Sequence, residues 1–227
     1  MQPPFSCVPH TFQCLESTLS APRLGRYLGE AKGDKHYALR LYVWNGRLCE
    51  AFYLPSQMAE VATRNAIHKA LIAKHGDNWF ERGAFLCALP ERLRKELNEV
   101  MRKERETYGA AATVNHFVSG LTFGFWIHLL TAKFDDVFWP SSFASCFPNK
   151  PRNINRQALY DRAERLRVFR NRLAHHKPIF DRAPKSEYQN LLELVKWVCV
   201  ETHWFTLQIS HVDQTINAKP PILPTAN

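Results

Sequence analysis

Cysteine is scarce and poorly spaced for chemistry. Six occur in 227 residues, at 7, 14, 49, 87, 146 and 199, and the closest two are seven apart. That rules out a C-x-x-C motif, zinc-finger spacing and a compact disulfide framework. Free thiols in a reducing cytoplasm fit this usage. Glycine numbers 9 and proline 14, too few and too scattered for a collagenous or low-complexity chain. No long apolar run exists. The most apolar stretch, Phe117 to Leu130, is broken by Ser119, Gly120, Thr122, Gly124 and His128, and it falls short of the roughly 20 residues a spanning helix needs. It is expected to be a buried core helix, which excludes a multi-span membrane protein. The first seven residues, Met1 to Cys7, lack a basic stretch followed by an apolar one, so no signal peptide is expected. H-E-x-x-H, P-loop and G-x-S-x-G motifs are missing. His, Cys and carboxylate residues form no cluster at ligand spacing, so neither metal nor cofactor is expected. Strict polar–apolar alternation over six residues is also lacking, which argues against strands.

What is present points to an all-α protein. Hydrophobic residues make up 45% and charged residues 22%, ordinary globular values. The apolar spacing is helical, with turn signals between long segments. Residues 1–19 are expected to be irregular, 20–212 to form a single all-α domain, and 213–227 to be a flexible tail. Within the domain, Ser20 and Pro22 start a short helix. After Gly33-Asp34 a second runs to about Tyr53, with Ala38, Leu41, Trp44, Leu48 and Phe52 on one face. Pro55 opens a third that ends near His75-Gly76. Pro90 begins a charged helix, and an apolar helix is expected from 114 to about 133. A long helix covers 155–176, ended by Pro178, and a helix pair covers about 185–212.

The net charge is +9, from 30 Lys+Arg against 21 Asp+Glu. Residues 150–182 hold ten of the cations and only three acids, Asp161, Glu164 and Asp181. Such a concentrated stripe is the electrostatic footprint of a polyanion partner. It equally fits a solvated helix face.

The segment Arg170-Asn171-Arg172-Leu173-Ala174-His175-His176 carries the chemistry. Leu166, Arg170 and Leu173 stand at i, i+4, i+7, so Arg170 interrupts an apolar stripe. A guanidinium cannot shed its charge, and burying it is costly unless it is paired or binds an anion. Asn171 and His175 lie one turn apart. Histidine transfers protons near neutral pH, arginine stabilises a transition state gaining negative charge, and an amide can hold phosphate or ribose. This set suits attack of a ribose 2′-OH on the adjacent phosphate, without a metal.

Arg170-Asn171-x-x-x-His175 resembles the signature of the HEPN superfamily of helical ribonucleases. Leu121 to Leu130, Phe138-Trp139, Cys146-Phe147-Pro148 and Leu166 to Ile179 together resemble its bacterial Abi-like (abortive infection) branch, over roughly residues 20–210. The resemblance implies an all-α, HEPN-like helical bundle, here with an additional N-terminal helical subregion. It also implies a homodimer, and metal-independent RNA cleavage leaving a 2′,3′-cyclic phosphate and a 5′-hydroxyl. Arg170 would stabilise the phosphorane, His175 would act as general acid/base and Asn171 would orient the site. His176, Arg167, Arg172 and Lys177 would assist in binding RNA. The implied setting is a cytoplasmic phage-defence or toxin system with an antitoxin or other regulator. Toxins controlled by a nucleotidyltransferase carry tyrosine where this chain has Lys177, so that kind of control is not expected.

Glu60, Arg64 and His68 share another helix face at i, i+4, i+8, beside Asn65. They fit an ion pair packing this helix on its neighbour, or a contribution of Arg64 and Asn65 to the Arg170 cleft. Trp126, Trp139, Trp197 and Trp204 are expected in the core. The alternative to an enzyme is a non-catalytic RNA- or protein-binding helical module.

Overall fold

The computed structural model describes residues 8–135, 139 and 145–222. Every regular element among them is helical. Phe138, Pro140, the first seven residues and the end of the expected tail (223–227) lie outside the described residues.

Three helices open the chain: α1 (Pro9–Leu19), α2 (Ala21–Glu30) and α3 (Lys35–His75). The first corrects the expectation of an irregular segment. Pro9 sits in its first turn, where a missing N–H costs nothing, and buried Phe12 packs with Leu24 and Leu39.

Helix α3 has 41 residues, about 60 Å of axis, and forms the spine of the molecule. The expected break at Pro55 does not occur, for Pro55 lies inside this continuous helix. Proline cannot donate to the carbonyl four residues back, a loss worth about 3 kcal/mol in a helix interior. Packing on both sides offsets it. Tyr37, Leu41, Trp44, Leu48 and Phe52 belong to one core cluster, with Phe169, Ile179 and Tyr188. Ala59, Ala66, Ile67, Ala70 and Leu71 belong to another, with Trp79, Trp126, Leu159 and Leu194. Pro55 falls at the seam between the two.

The middle of the chain contains α4 (Gly83–Ala88), α5 (Glu91–Tyr108), α6 (Val114–Gly120) and α7 (Phe123–His128). The apolar helix expected over 114–133 is thus two short helices. Thr122 makes the break, with its side chain accepting the Phe125 N–H at 3.2 Å. Its own N–H and hydroxyl donate to the Glu96 carboxylate at 3.0 and 2.7 Å. A threonine that caps the following turn competes with helix continuation. Just before it, a Cβ on Gly120 would come within 2.7 Å of Val100, so glycine permits the close approach of α5.

The chain closes with α8 (Arg156–Ala174), α9 (Pro184–Val198), α10 (Val200–Ile209) and α11 (Val212–Asn217). The last of these replaces the start of the expected flexible tail. Val212 is fully buried, and the Trp44 indole N–H donates to the Thr215 carbonyl at 2.7 Å. Trp126, Trp139 and Trp197 are buried, whereas Trp204 is 60% exposed. Helix α10 is apolar on several sides and buries only Thr206, so its large residues cannot all turn inward.

Burial holds several imidazoles neutral. His68 lies edge-on between Trp79 and Trp126, with ring centroids 5.9 and 6.2 Å away, and its Nε2 is buried without a hydrogen-bond partner. Desolvation, then the Arg64 charge, pulls its pKa below 6.5, with Asp77 opposing. His75 and His128 are lowered chiefly by burial too. The unfolded chain therefore takes up protons first. Stability from these rings is complete above about 6.5 and is lost as pH falls through their lower folded values. The urea midpoint is expected to decline as pH falls below about 6.5. A midpoint that stays level or rises would show that the rings are not held neutral.

Candidate functional site

Helix α8 carries the motif. Asn155 caps its start, accepting the Ala158 N–H at 2.9 Å, and Leu159, Ala163, Leu166 and Phe169 seat it in the core. Its end is a Schellman turn. The Lys177 N–H donates to the Arg172 carbonyl at 2.9 Å and the His176 N–H to the Leu173 carbonyl at 3.0 Å. His176 takes the left-handed position at φ 52°, which glycine usually occupies. The helix stops at Ala174, two residues before the expected end, with His175 as C-cap.

Two open clefts flank Arg170. One, of about 460 Å³, is walled by Arg170 and Asn171 with Arg92, His128, Tyr160 and Arg167. The other, of about 660 Å³, is walled by Arg170, Leu173 and His176 with Tyr53, Gln57 and Glu60 of α3. The Arg170 side chain is 45% exposed, and its Nε lies 3.2 Å from Glu60 Oε2. It stands at the edge of the apolar stripe and is paired across helices. The sequence motif is therefore only partly gathered. Asn171 and Arg167 share the first cleft with Arg170, and His176 shares the second. His175 is exposed at the helix end and lines neither. Lys177 is exposed beside it.

Several expected phosphate binders already have partners within the chain. Arg172 donates through Nε and Nη2 to the Pro178 carbonyl at 3.2 and 2.6 Å, so it braces the loop after the motif instead of facing a ligand. Burial, then Arg182 nearby, lowers its pKa. Arg167 is paired with Glu164 at 2.5 Å, and that hydrogen bond raises its pKa. Arg64 and Asn65 line neither cleft; the Arg64 Nε donates to Asn65 Oδ1 at 3.3 Å. Burial lowers the Arg64 pKa and Glu60 opposes the shift. Glu60 thus acts on Arg64 one turn along its own helix and makes a cross-helix ion pair with Arg170, a partner outside the Glu60-Arg64-His68 face.

The cationic stripe is also less naked than its composition suggests. Arg156 pairs with Asp135, Arg162 with Glu193, Arg165 with Glu187 and Arg170 with Glu60. These four acids lie outside residues 150–182, and counting them reduces the local excess from seven to three. Arg162 additionally lies over the Trp197 ring, 4.9 Å from its centroid.

The first cleft also contains residues to which the sequence assigned no role: Arg92 from α5, His128 from α7 and Tyr160 from α8. They come from separate elements and share no spacing, so only tertiary packing brings them together. Among the described residues no group of three or more His, Cys, Asp or Glu could hold a metal ion, and no helix is long and apolar enough to cross a membrane. The chain matches no protein-family model, no curated protein and no solved structure. What fold and site define is an all-α protein with an arginine-walled cleft.

Proposed function

We propose that this protein is a metal-independent endoribonuclease of the Abi-like, HEPN type, acting as a homodimer in the cytoplasm within a phage-defence or toxin system, under an antitoxin or other regulator. One observation carries the reading: Arg170, half-exposed and held by Glu60, stands beside Asn171 in the wall of an open cleft at the end of a cationic helix. A guanidinium so placed can meet the charge that builds on a phosphorane. In the reaction a base takes the 2′-OH proton, the 2′ oxygen attacks phosphorus, the bond to the 5′ oxygen breaks and an acid protonates that oxygen. Base and acid are two groups, and this chain brings one His175. A second copy supplies the other, reaching from its own exposed helix end.

A second reading, a non-catalytic RNA- or protein-binding module, is favoured by the position of His175 outside both cleft walls and by the in-chain pairing of the arginines. Incubation of the pure protein with RNA in EDTA separates the two. The nuclease gives fragments with 2′,3′-cyclic phosphate and 5′-hydroxyl ends. Retention of intact RNA, bound in a salt-sensitive way, leaves the binding module.

A further inference from the structure

We infer that the smaller cleft is a subsite for the phosphate of one nucleotide unit, and that Arg92 is a phosphate-binding residue within it. The inference takes its ligand class from the ribonuclease reading, but it requires no catalysis.

Three guanidiniums, Arg92, Arg167 and Arg170, line this cleft of about 460 Å³. Like charges converging on one cavity repel unless an anion joins them. Two of the three are already fixed. Glu164 holds Arg167 at 2.5 Å from within the cleft, and Glu60 holds Arg170 at 3.2 Å from the neighbouring one. Arg92 is exposed and makes no ion pair among the described residues. It is a donor without an acceptor, facing two that are held in position. The Thr122 hydroxyl is already engaged, donating to Glu96 and accepting the Phe125 N–H, and it carries no charge to balance a guanidinium. Burial, then the Arg92 and Lys133 charges, lower the His128 pKa, which disfavours a further positive charge in this wall.

The remaining wall suits a nucleotide better than a bare ion. Tyr160 offers a ring and a hydroxyl, Asn171 an amide, and Phe123 and Ile127 an apolar floor. Gly124 contributes no side chain, and the stem of Arg167 lies 3.8 Å from where its Cβ would be. The volume is near the lower end for small-molecule sites, room for one nucleotide and not a run of them. The phosphate could come from a free nucleotide or from an RNA strand, and the chemistry of recognition is shared.

The test compares wild-type protein with Arg92→Gln, using Lys95→Gln as control. Lys95 lies on the same helix, is exposed and lines neither cleft. Inorganic phosphate, AMP and a fluorescent RNA hexamer are titrated by calorimetry or anisotropy over a range of salt. Arg92→Gln is expected to weaken AMP or RNA binding about tenfold and to reduce the salt slope for RNA by about one, while Lys95→Gln leaves both unchanged. Binding of AMP alone identifies a free nucleotide as ligand; Arg92-dependent binding of RNA alone identifies the strand. No binding of any probe, or equal binding by Arg92→Gln and wild type, overturns the subsite. RNA bound through Arg92 but never cut preserves the subsite and removes the nuclease.

Discussion

Arg170→Ala is expected to lower RNA cleavage by at least about a hundredfold, the scale on which a single transition-state donor acts, with the fold intact. The structure makes this a clean experiment. The side chain is 45% exposed and its ion pair is with the single carboxylate of Glu60. Exposed pairs contribute about 0–1 kcal/mol to stability. Circular dichroism and the urea midpoint should therefore barely change while turnover collapses. His175→Ala, at an exposed C-cap, is expected to behave alike. Undiminished cleavage in either variant would remove the assignment of these side chains to the reaction.

The second large effect is on stability, through Asn45. This amide is 5% exposed in the first third of α3. Its Oδ1 accepts the N–H groups of Ile179 at 2.8 Å and Phe180 at 3.2 Å, and so ties the loop following the histidines to the spine of the fold. Asn45→Ala would leave two amide hydrogens facing a buried space, each orphan costing about 1–3 kcal/mol. A loss of about 2–4 kcal/mol in urea unfolding is expected. Cleavage by the folded fraction should fall as well, because the loop that follows His175 and His176 loses its anchor. An unchanged urea midpoint would show that the loop is held by other means.

The helical class and the motif helix were legible because they depend on local pattern: apolar residues recur along α8, and Pro178 stops continuation. Other features depend on partners distant in sequence. Pro55 reads as a start signal, yet two separate cores keep α3 continuous across it. Thr122 reads as one polar residue in an apolar run, yet Glu96 and its capping bond make it a helix boundary. The stripe over 150–182 reads as free positive charge until Glu60, Asp135, Glu187 and Glu193 fold against it. Arg92 carries no local signal, since it shares no spacing with Arg170, and His128 lies in the Leu121–Leu130 stretch without anything there that places it beside Arg170. Arg172 matched the motif's surroundings, but its donors are occupied by the Pro178 carbonyl.

Pro55 has a mechanical consequence. Without its N–H, the Ala51 carbonyl lacks its usual partner one turn along, so one rung of the α3 ladder is missing at mid-length while the rungs on either side continue. The spine therefore has a point of reduced bending stiffness, one rung short, and α8 and α9, whose buried residues reach both cores, act as splints across it.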